Sequence, residues 1–173
     1  ISALETPSSV MALCRKRTRD AGEIVGDRVL ALDNIQDPGN LGTIIRSALA
    51  FGVTTIVLSE DTVDLYNPKV LRATQGMIFH TNIIVRDLFD WLRMVRGSDF
   101  NIYGTSVDGG VDVKTLGKEE KDNFVLIVGN EGNGVSRKLL DLCDKNLYIS
   151  MTSRVESLNV AVATSILLYE LRG

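Results

Sequence analysis

The sequence predicts an α/β domain built on a mostly parallel sheet flanked by helices. Three observations carry this expectation. From Arg28 onward, short runs rich in Val, Ile and Leu recur, several of them apolar at consecutive positions, as in strands covered on both faces. Segments with helical spacing separate these runs, the alternation that builds a parallel sheet. Polar or glycine-rich junctions stand where runs end and helices begin, the place where open α/β sheets bind ligands.

The stretch to about residue 27 is polar and irregular, with a basic cluster at Arg15, Lys16, Arg17 and Arg19, and reads as a linker or arm before a domain spanning 28–173. Most of those charges read as solvated; beside a nucleic-acid site they would add salt-dependent attraction to phosphate. Strands are expected at 29–33, 54–58, 83–85, 101–105, 124–128 and 147–150. Over 41–51, Leu41, Ile44, Ile45, Ala48 and Leu49 keep the i, i+3, i+4, i+7, i+8 rule of a core-facing helix; Arg46 falls off that stripe and Gly52 fits the stop. Asn67 followed by Pro68 is an N-cap with Pro at the first helical position, and Gly76 closes that segment. After Asp87, the residues Leu88, Trp91, Leu92 and Val95 line one face and Gly97 ends it, which makes Trp91 a core residue rather than a platform for a base. A last helix over about 157–172 is apolar on most faces and is expected to be largely buried.

Composition narrows the function classes. The 173 residues, 45% hydrophobic and 24% charged, fit one globular domain able to bury roughly two thirds of its unfolded surface without disulfides or a structural metal. With 19 Lys+Arg against 22 Asp+Glu the formal charge is -3, so no uniformly basic platform for duplex nucleic acid exists and any such binding must be local. Cys14, Cys143 and His80 cannot close a zinc site without carboxylates, so no metal is expected, and a cytoplasmic, reducing location fits. The apolar stretch 158–169 is shorter than the roughly 20 residues of a membrane-spanning helix. The chain opens on Ile1 without a signal segment, and part of a longer polypeptide is expected.

Three junctions hold the candidate chemistry. The loop Asp33-Asn34-Ile35-Gln36-Asp37-Pro38-Gly39-Asn40 delivers Asn40 to a helix start and Arg46 to its non-core side. An Asn N-cap and a solvated Arg are one reading; the other is an Arg fork on a phosphate or ribose oxygen with Asn40 holding loop or substrate through its amide. After the apolar run 124–128 comes Gly129-Asn130-Glu131-Gly132-Asn133-Gly134, with Ser136 placed to cap the next helix. Its G-x-x-G-x-G spacing is neither a dinucleotide nor a Walker A fingerprint, and Glu131 within it is a candidate acceptor or charge stabiliser. The third, 151–159, leads into the last helix; Ser157 reads as its N-cap, while Asn159 in the first turn needs partners that a ligand at the helix N-terminus would supply.

Taken together, residues 33–46, 127–136 (Ile127-Val128-Gly129-Asn130-Glu131-Gly132-Asn133-Gly134-Val135-Ser136) and 157–163 (Ser157-Leu158-Asn159-Val160-Ala161-Val162-Ala163) resemble the three motifs of the SpoU (TrmH-like) RNA ribose 2'-O-methyltransferases, within the SPOUT superfamily. The likeness runs from about Leu30 to the C-terminus in order and spacing, and Tyr66-Asn67-Pro68-Lys69-Val70 with Arg72-Ala73-Thr74-Gln75-Gly76 resembles the family's intermediate helix. The resemblance implies a C-terminal trefoil knot, which periodicity cannot show because knots are excluded by default. It implies S-adenosylmethionine held by Gly129, Ile149 and Leu158 with Ser106, Asn130, Gly132 and Met151 nearby. It places Asn40, Arg46, Glu131, Ser157 and Asn159 at functional polar positions, and implies a homodimer whose site draws on both subunits. Arg46, Arg72, Arg15 and Lys16 are the candidate RNA contacts, with ribosomal RNA favoured over transfer RNA by an expected two-domain layout in which an N-terminal RNA-binding domain would precede residues 28–173. Two positions depart from the pattern: Ser150 stands where a Pro is usual, and Thr152-Ser153-Arg154 lacks a common Gly. A nicotinamide-dependent enzyme is opposed by the glycine order, and a non-catalytic RNA-binding or assembly module of the same fold is the alternative function.

Overall fold

The computed structural model describes residues 10, 12–15, 24–107 and 109–172. Among the described residues, seven strands form one sheet in which every pairing is parallel: β1 (Arg28–Leu32), β2 (Thr55–Ser59), β3 (Asn82–Arg86), β4 (Asn101–Thr105), β5 (Val111–Asp112), β6 (Phe124–Val128) and β7 (Lys145–Tyr148), in the order β3-β2-β1-β6-β4-β7-β5. Among the described residues, four α-helices lie between strands, α1 (Pro38–Ala50), α2 (Pro68–Ala73), α3 (Leu88–Val95) and α4 (Arg137–Leu140), and α5 (Val160–Leu171) follows β7.

Strand alternation divides the core into two layers. Leu30 and Leu32 of β1 join Leu126 of β6 against Ile44 and Ile45 of α1 and Leu167 and Leu168 of α5. Val29 and Ala31, one residue out of phase, face the other way with Val125, Ile127, Trp91 and Leu92. Both faces are thereby covered, which is why β1 and β6 read as continuous apolar runs. Trp91 is 5% exposed, in the core as expected.

Order along the sheet positions the site. From β1 the chain steps outward through β2 to β3, then crosses to β4 on the far side of β6, and β7 follows beyond β4. The strand order thus reverses beside β1 and β6, and the carboxyl ends there, Leu32 and Val128, open onto the first two candidate loops. α5 then returns to pack on α1, where the hydroxyls of Ser47 and Ser165 lie 2.7 Å apart.

Several expectations shift. The strand expected over 147–150 is β7 at Lys145–Tyr148, because Ile149 leaves the ladder to line a cleft. β1 and β2 are displaced by one residue, to Arg28–Leu32 and Thr55–Ser59, β3 gains a residue at each end, and the two-residue β5 and the single-turn α4 carry no periodic signal. The first helix starts at Pro38 with Asp37 as its N-cap, its Oδ1 accepting from Asn40 N at 2.7 Å, so Asn40 is not the cap. α5 starts at Val160 with Asn159 as its cap, so Ser157 is not. Its burial was also expected to be greater: Val162 is 48% and Tyr169 49% exposed.

α1 and α2 meet at Gly42, where an added Cβ would lie 2.2 Å from Cβ of Ala73 and within about 3 Å of Ala73 backbone. Gly42→Ala is expected to destabilise the fold by about 2 kcal/mol through overpacking. Denaturant unfolding at constant m value checks it; an unchanged midpoint would mean the helices separate freely.

Candidate active site

The three loops converge in one hydrogen-bonded series. Glu131 extends from the glycine loop after β6 to the N-terminus of α1, where its carboxylate accepts from Gln36 N at 3.3 Å, Asp37 N at 3.1 Å and Asn40 Nδ2 at 3.1 Å. Because a carboxylate only accepts, Asn40 must turn its amino group to Glu131 and its Oδ1 the other way. That Oδ1 accepts from Asn159 Nδ2 at 3.0 Å, and Asn159 Oδ1 in turn accepts from Ala161 N at 3.0 Å and Val162 N at 3.3 Å, capping α5. One carboxylate therefore sets both amide orientations. Burial pushes the Glu131 carboxyl up, but the Asn40 amide and the backbone N–H groups of its own residue, Asp37 and Gln36 outweigh it and hold the group below the ordinary carboxylate value.

The first two loops are fastened further. Asp33 N donates to Val128 O at 2.8 Å, continuing the β1–β6 ladder, and Ser136 N donates to Asp33 Oδ2 at 2.9 Å. Asn130 Nδ2 donates to Asn34 O at 2.9 Å, and its Oδ1 accepts from Gly132 N and Asn133 N, which curls the glycine loop. Asn34 adopts φ 58°, a left-handed conformation that Asn tolerates better than most residues. Ser136 sits at the N-cap of α4 as expected, yet its Oγ makes no capping bond and is buried without a partner among the described residues. Gly129 is required by contact: a Cβ there would lie 2.0–2.2 Å from the backbone of Gly134 and Val135.

Beside this series lies a cleft of about 340 Å3. All seven residues expected at a cofactor, Ser106, Gly129, Asn130, Gly132, Ile149, Met151 and Leu158, line it, together with Glu131 and Ser157. Asn40 and Asn159 are tied to its edge through Glu131. Arg46 projects from the exposed side of α1, six residues or about 9 Å along the axis from Asn40, and makes no hydrogen bond or ion pair among the described residues. Arg72 is exposed on α2 and Arg15 is exposed in the arm; neither lines the cleft, and Lys16 lies outside the described residues.

Sequence reasoning missed Asp37, whose Asp-Pro pairing is a legible helix-start signal. It also missed Val107, Tyr148 and the apolar floor of Val128, Leu140 and Leu167, which read only as strand and helix residues. The cleft suits the group the resemblance implies. Its volume falls in the range of about 300–1,000 Å3 typical of small-molecule sites. Its floor is apolar, its rim carries glycine-loop backbone, and the Glu131 carboxylate complements a cationic sulfonium. Among the described residues no His, Cys, Asp and Glu cluster suits a metal, and no helix is long and apolar enough to cross a membrane.

The chain is 40% identical over 173 residues to the Bacillus subtilis 23S rRNA (guanosine(2553)-2'-O)-methyltransferase RlmP, covering all of this chain and 68% of that protein. Among solved structures it is similar to an AdoMet-bound rRNA methyltransferase from Sinorhizobium meliloti (TM-score 0.79, 37% identity, 85% of this chain and 56% of that one). It is also similar to the SpoU methyltransferase AviRb from Streptomyces viridochromogenes in complex with AdoMet (TM-score 0.75, 30% identity, 86% and 61%). The chain thus spans less than two thirds of either solved relative. Residues 27–169 match the SpoU rRNA Methylase family, and the chain belongs to that family.

Proposed function

We propose that residues 28–173 are the catalytic domain of an S-adenosylmethionine-dependent RNA methyltransferase that modifies a ribose 2'-hydroxyl in ribosomal RNA. The observation that carries this is the Glu131–Asn40–Asn159 series at the edge of a cleft lined by every expected cofactor residue. The residues lining the cleft would hold S-adenosylmethionine, which would supply an electrophilic methyl group for the ribose 2'-oxygen. The protein's task is then to position two reactants and manage one proton.

Each polar residue has a role its chemistry allows. Arg46 is a fork without an internal partner, suited to hold the ribose and its adjacent phosphate and to stabilise the developing alkoxide. A guanidinium does not give up its proton in proteins, so the hydroxyl proton passes to phosphate, water or a coupled acceptor. Glu131 accepts three hydrogen bonds from the first loop and acts through Asn40 and Asn159 as a positioning group. Ser157 borders the cleft, where its hydroxyl meets either reactant. Arg72, Arg15 and Lys16 add attraction for RNA phosphates.

A homodimer belongs to this reading, supported by the half-exposed Val162 and Tyr169 on α5 and by an Arg46 left open for a partner's site. The C-terminal knot belongs to it as well, as does a cytoplasmic location. Calorimetric titration with S-adenosylmethionine, with NADH as control, tests the proposal. One site per subunit for S-adenosylmethionine alone is expected, followed by methyl incorporation into unmethylated 23S rRNA. NADH binding would overturn it, and cofactor binding without transfer to any RNA would favour the non-catalytic module.

A further inference from the structure

An open depression of about 490 Å3 adjoins the cofactor cleft, lined by Ser150, Met151, Thr152, Val155 and Leu158. Met151 and Leu158 belong to both, so the two spaces share a wall. Its floor is apolar yet open to water: Met151 is 38% and Val155 48% exposed. The loop from β7 to α5 that forms it is held by little of its own, a single backbone turn from Val155 N to Thr152 O at 3.2 Å. Ser150, Thr152, Ser153 and Arg154 are all exposed, and their side chains make no hydrogen bond or ion pair among the described residues. The hydroxyls of Ser150 and Thr152 thus border an apolar hollow with their donors unused, and Ser153 and Arg154 stand next to them in the same loop.

We propose that this depression seats the acceptor nucleotide, its base on Met151, Val155 and Leu158 and its flanking phosphate on Arg154 and the neighbouring hydroxyls. The inference rests on the methyltransferase reading. A reacting ribose oxygen must come within about 3–3.5 Å of the transferred methyl. The base and the phosphates of that nucleotide lie only a few bonds further away, so they must rest on surface bordering the cleft. The cleft's other polar borders are the glycine loop, whose Glu131 carboxylate repels phosphate, and the hydroxyl-bearing Thr105, Ser106, Tyr148 and Ser157, none of which is cationic. The depression offers the opposite character: a thioether that packs well on an aromatic ring and donors matched to phosphate oxygens. Glu156 follows Arg154 closely in the loop, so the loop's formal charge is balanced and the recognition is by local geometry rather than by a broad positive field. The hydroxyl at Ser150, where the resembled pattern carries Pro, increases the donors without adding charge.

Val155→Asp and Arg154→Ala test the seat, because neither residue lines the cofactor cleft. The probe is 23S rRNA transcribed in vitro and therefore unmethylated. Both variants are expected to keep wild-type affinity for S-adenosylmethionine, which also reports that they are folded. Val155→Asp is expected to raise the KM for RNA about tenfold, the loss of one apolar contact. Arg154→Ala is expected to weaken RNA binding and to flatten its dependence on log salt by about 0.7–0.9, the loss of one phosphate contact. Val155→Ser, milder on an exposed loop, replaces Val155→Asp if cofactor affinity falls in the latter. Unchanged KM and salt slope would overturn the seat, as would a wild type that binds the cofactor but no RNA. So would a Val155→Asp variant that dissociates a dimer in sedimentation while keeping RNA affinity, because the hollow would then be a subunit contact. A wild type that fails to bind S-adenosylmethionine would instead sink the methyltransferase reading itself.

Discussion

Asn40→Asp is expected to lower single-turnover methyl transfer about a thousandfold, roughly 4 kcal/mol, with the sheet still folded. The substitution keeps an oxygen for Asn159 Nδ2 but sets a second carboxylate where Glu131 now accepts from Asn40 Nδ2 at 3.1 Å. A hydrogen bond to a charged acceptor, worth about 1.5–3 kcal/mol, is replaced by like-charge repulsion. Asn40→Ala loses both bonds without the repulsion and is expected to fall between the variant and wild type. A pH experiment separates this positioning role from bulk packing. The Glu131 carboxyl is held below its ordinary value, so it contributes stability that is present above the unfolded pKa and lost as pH falls through the lower folded value. Without the Asn40 amide that lowering shrinks. Between about pH 5 and pH 3, wild type should therefore lose more unfolding free energy than Asn40→Ala. Equal slopes would mean that Glu131 does not feel Asn40.

Arg46→Lys is expected to reduce single-turnover methylation about 100- to 1,000-fold, the usual effect of removing one oriented donor from a developing oxyanion. Affinity for S-adenosylmethionine should not change, since Arg46 does not line the cleft, and stability should not change, since the side chain is exposed and unbonded among the described residues. Lysine retains the charge but not the planar fork, so the comparison isolates geometry. A full rate in the lysine variant would show that charge alone suffices.

How much of this was legible in the sequence follows from length scales. β6 at Phe124–Val128 falls where its apolar run stands, because a strand buried on both faces leaves no polar residue to blur it, and β4 at Asn101–Thr105 is legible from Ile102 and Tyr103 between polar ends. Trp91 and the α1 stripe were legible through helical spacing, which puts one apolar face against the core. Arg46 off that stripe was legible as its negative. Cap identities were not: Asp37 and Asn40, or Ser157 and Asn159, are all good capping residues, and only the arrival of Glu131 and of Asn40 from distant segments decides between them. β5 was invisible because two residues carry no period. The exposure of Val162 and Tyr169 was missed because an apolar residue has the same identity on an inner or an outer face. Nothing in the order of residues announced that Glu131, 91 positions from Asn40, would dictate its amide orientation.

That long reach bears on synthesis. The series closes only when Asn159 meets Asn40 across 119 positions, and β1 finds β6 only after about a hundred residues have been made. A nascent polypeptide can therefore present the first helix and most strands while its third loop is still unmade. Pairings this remote form slowly, since the closure entropy of long loops must be met before the contacts reward it. The unfinished protein has no working centre to misdirect, and the ability to hold a ligand at the cleft reports that the last helix has arrived.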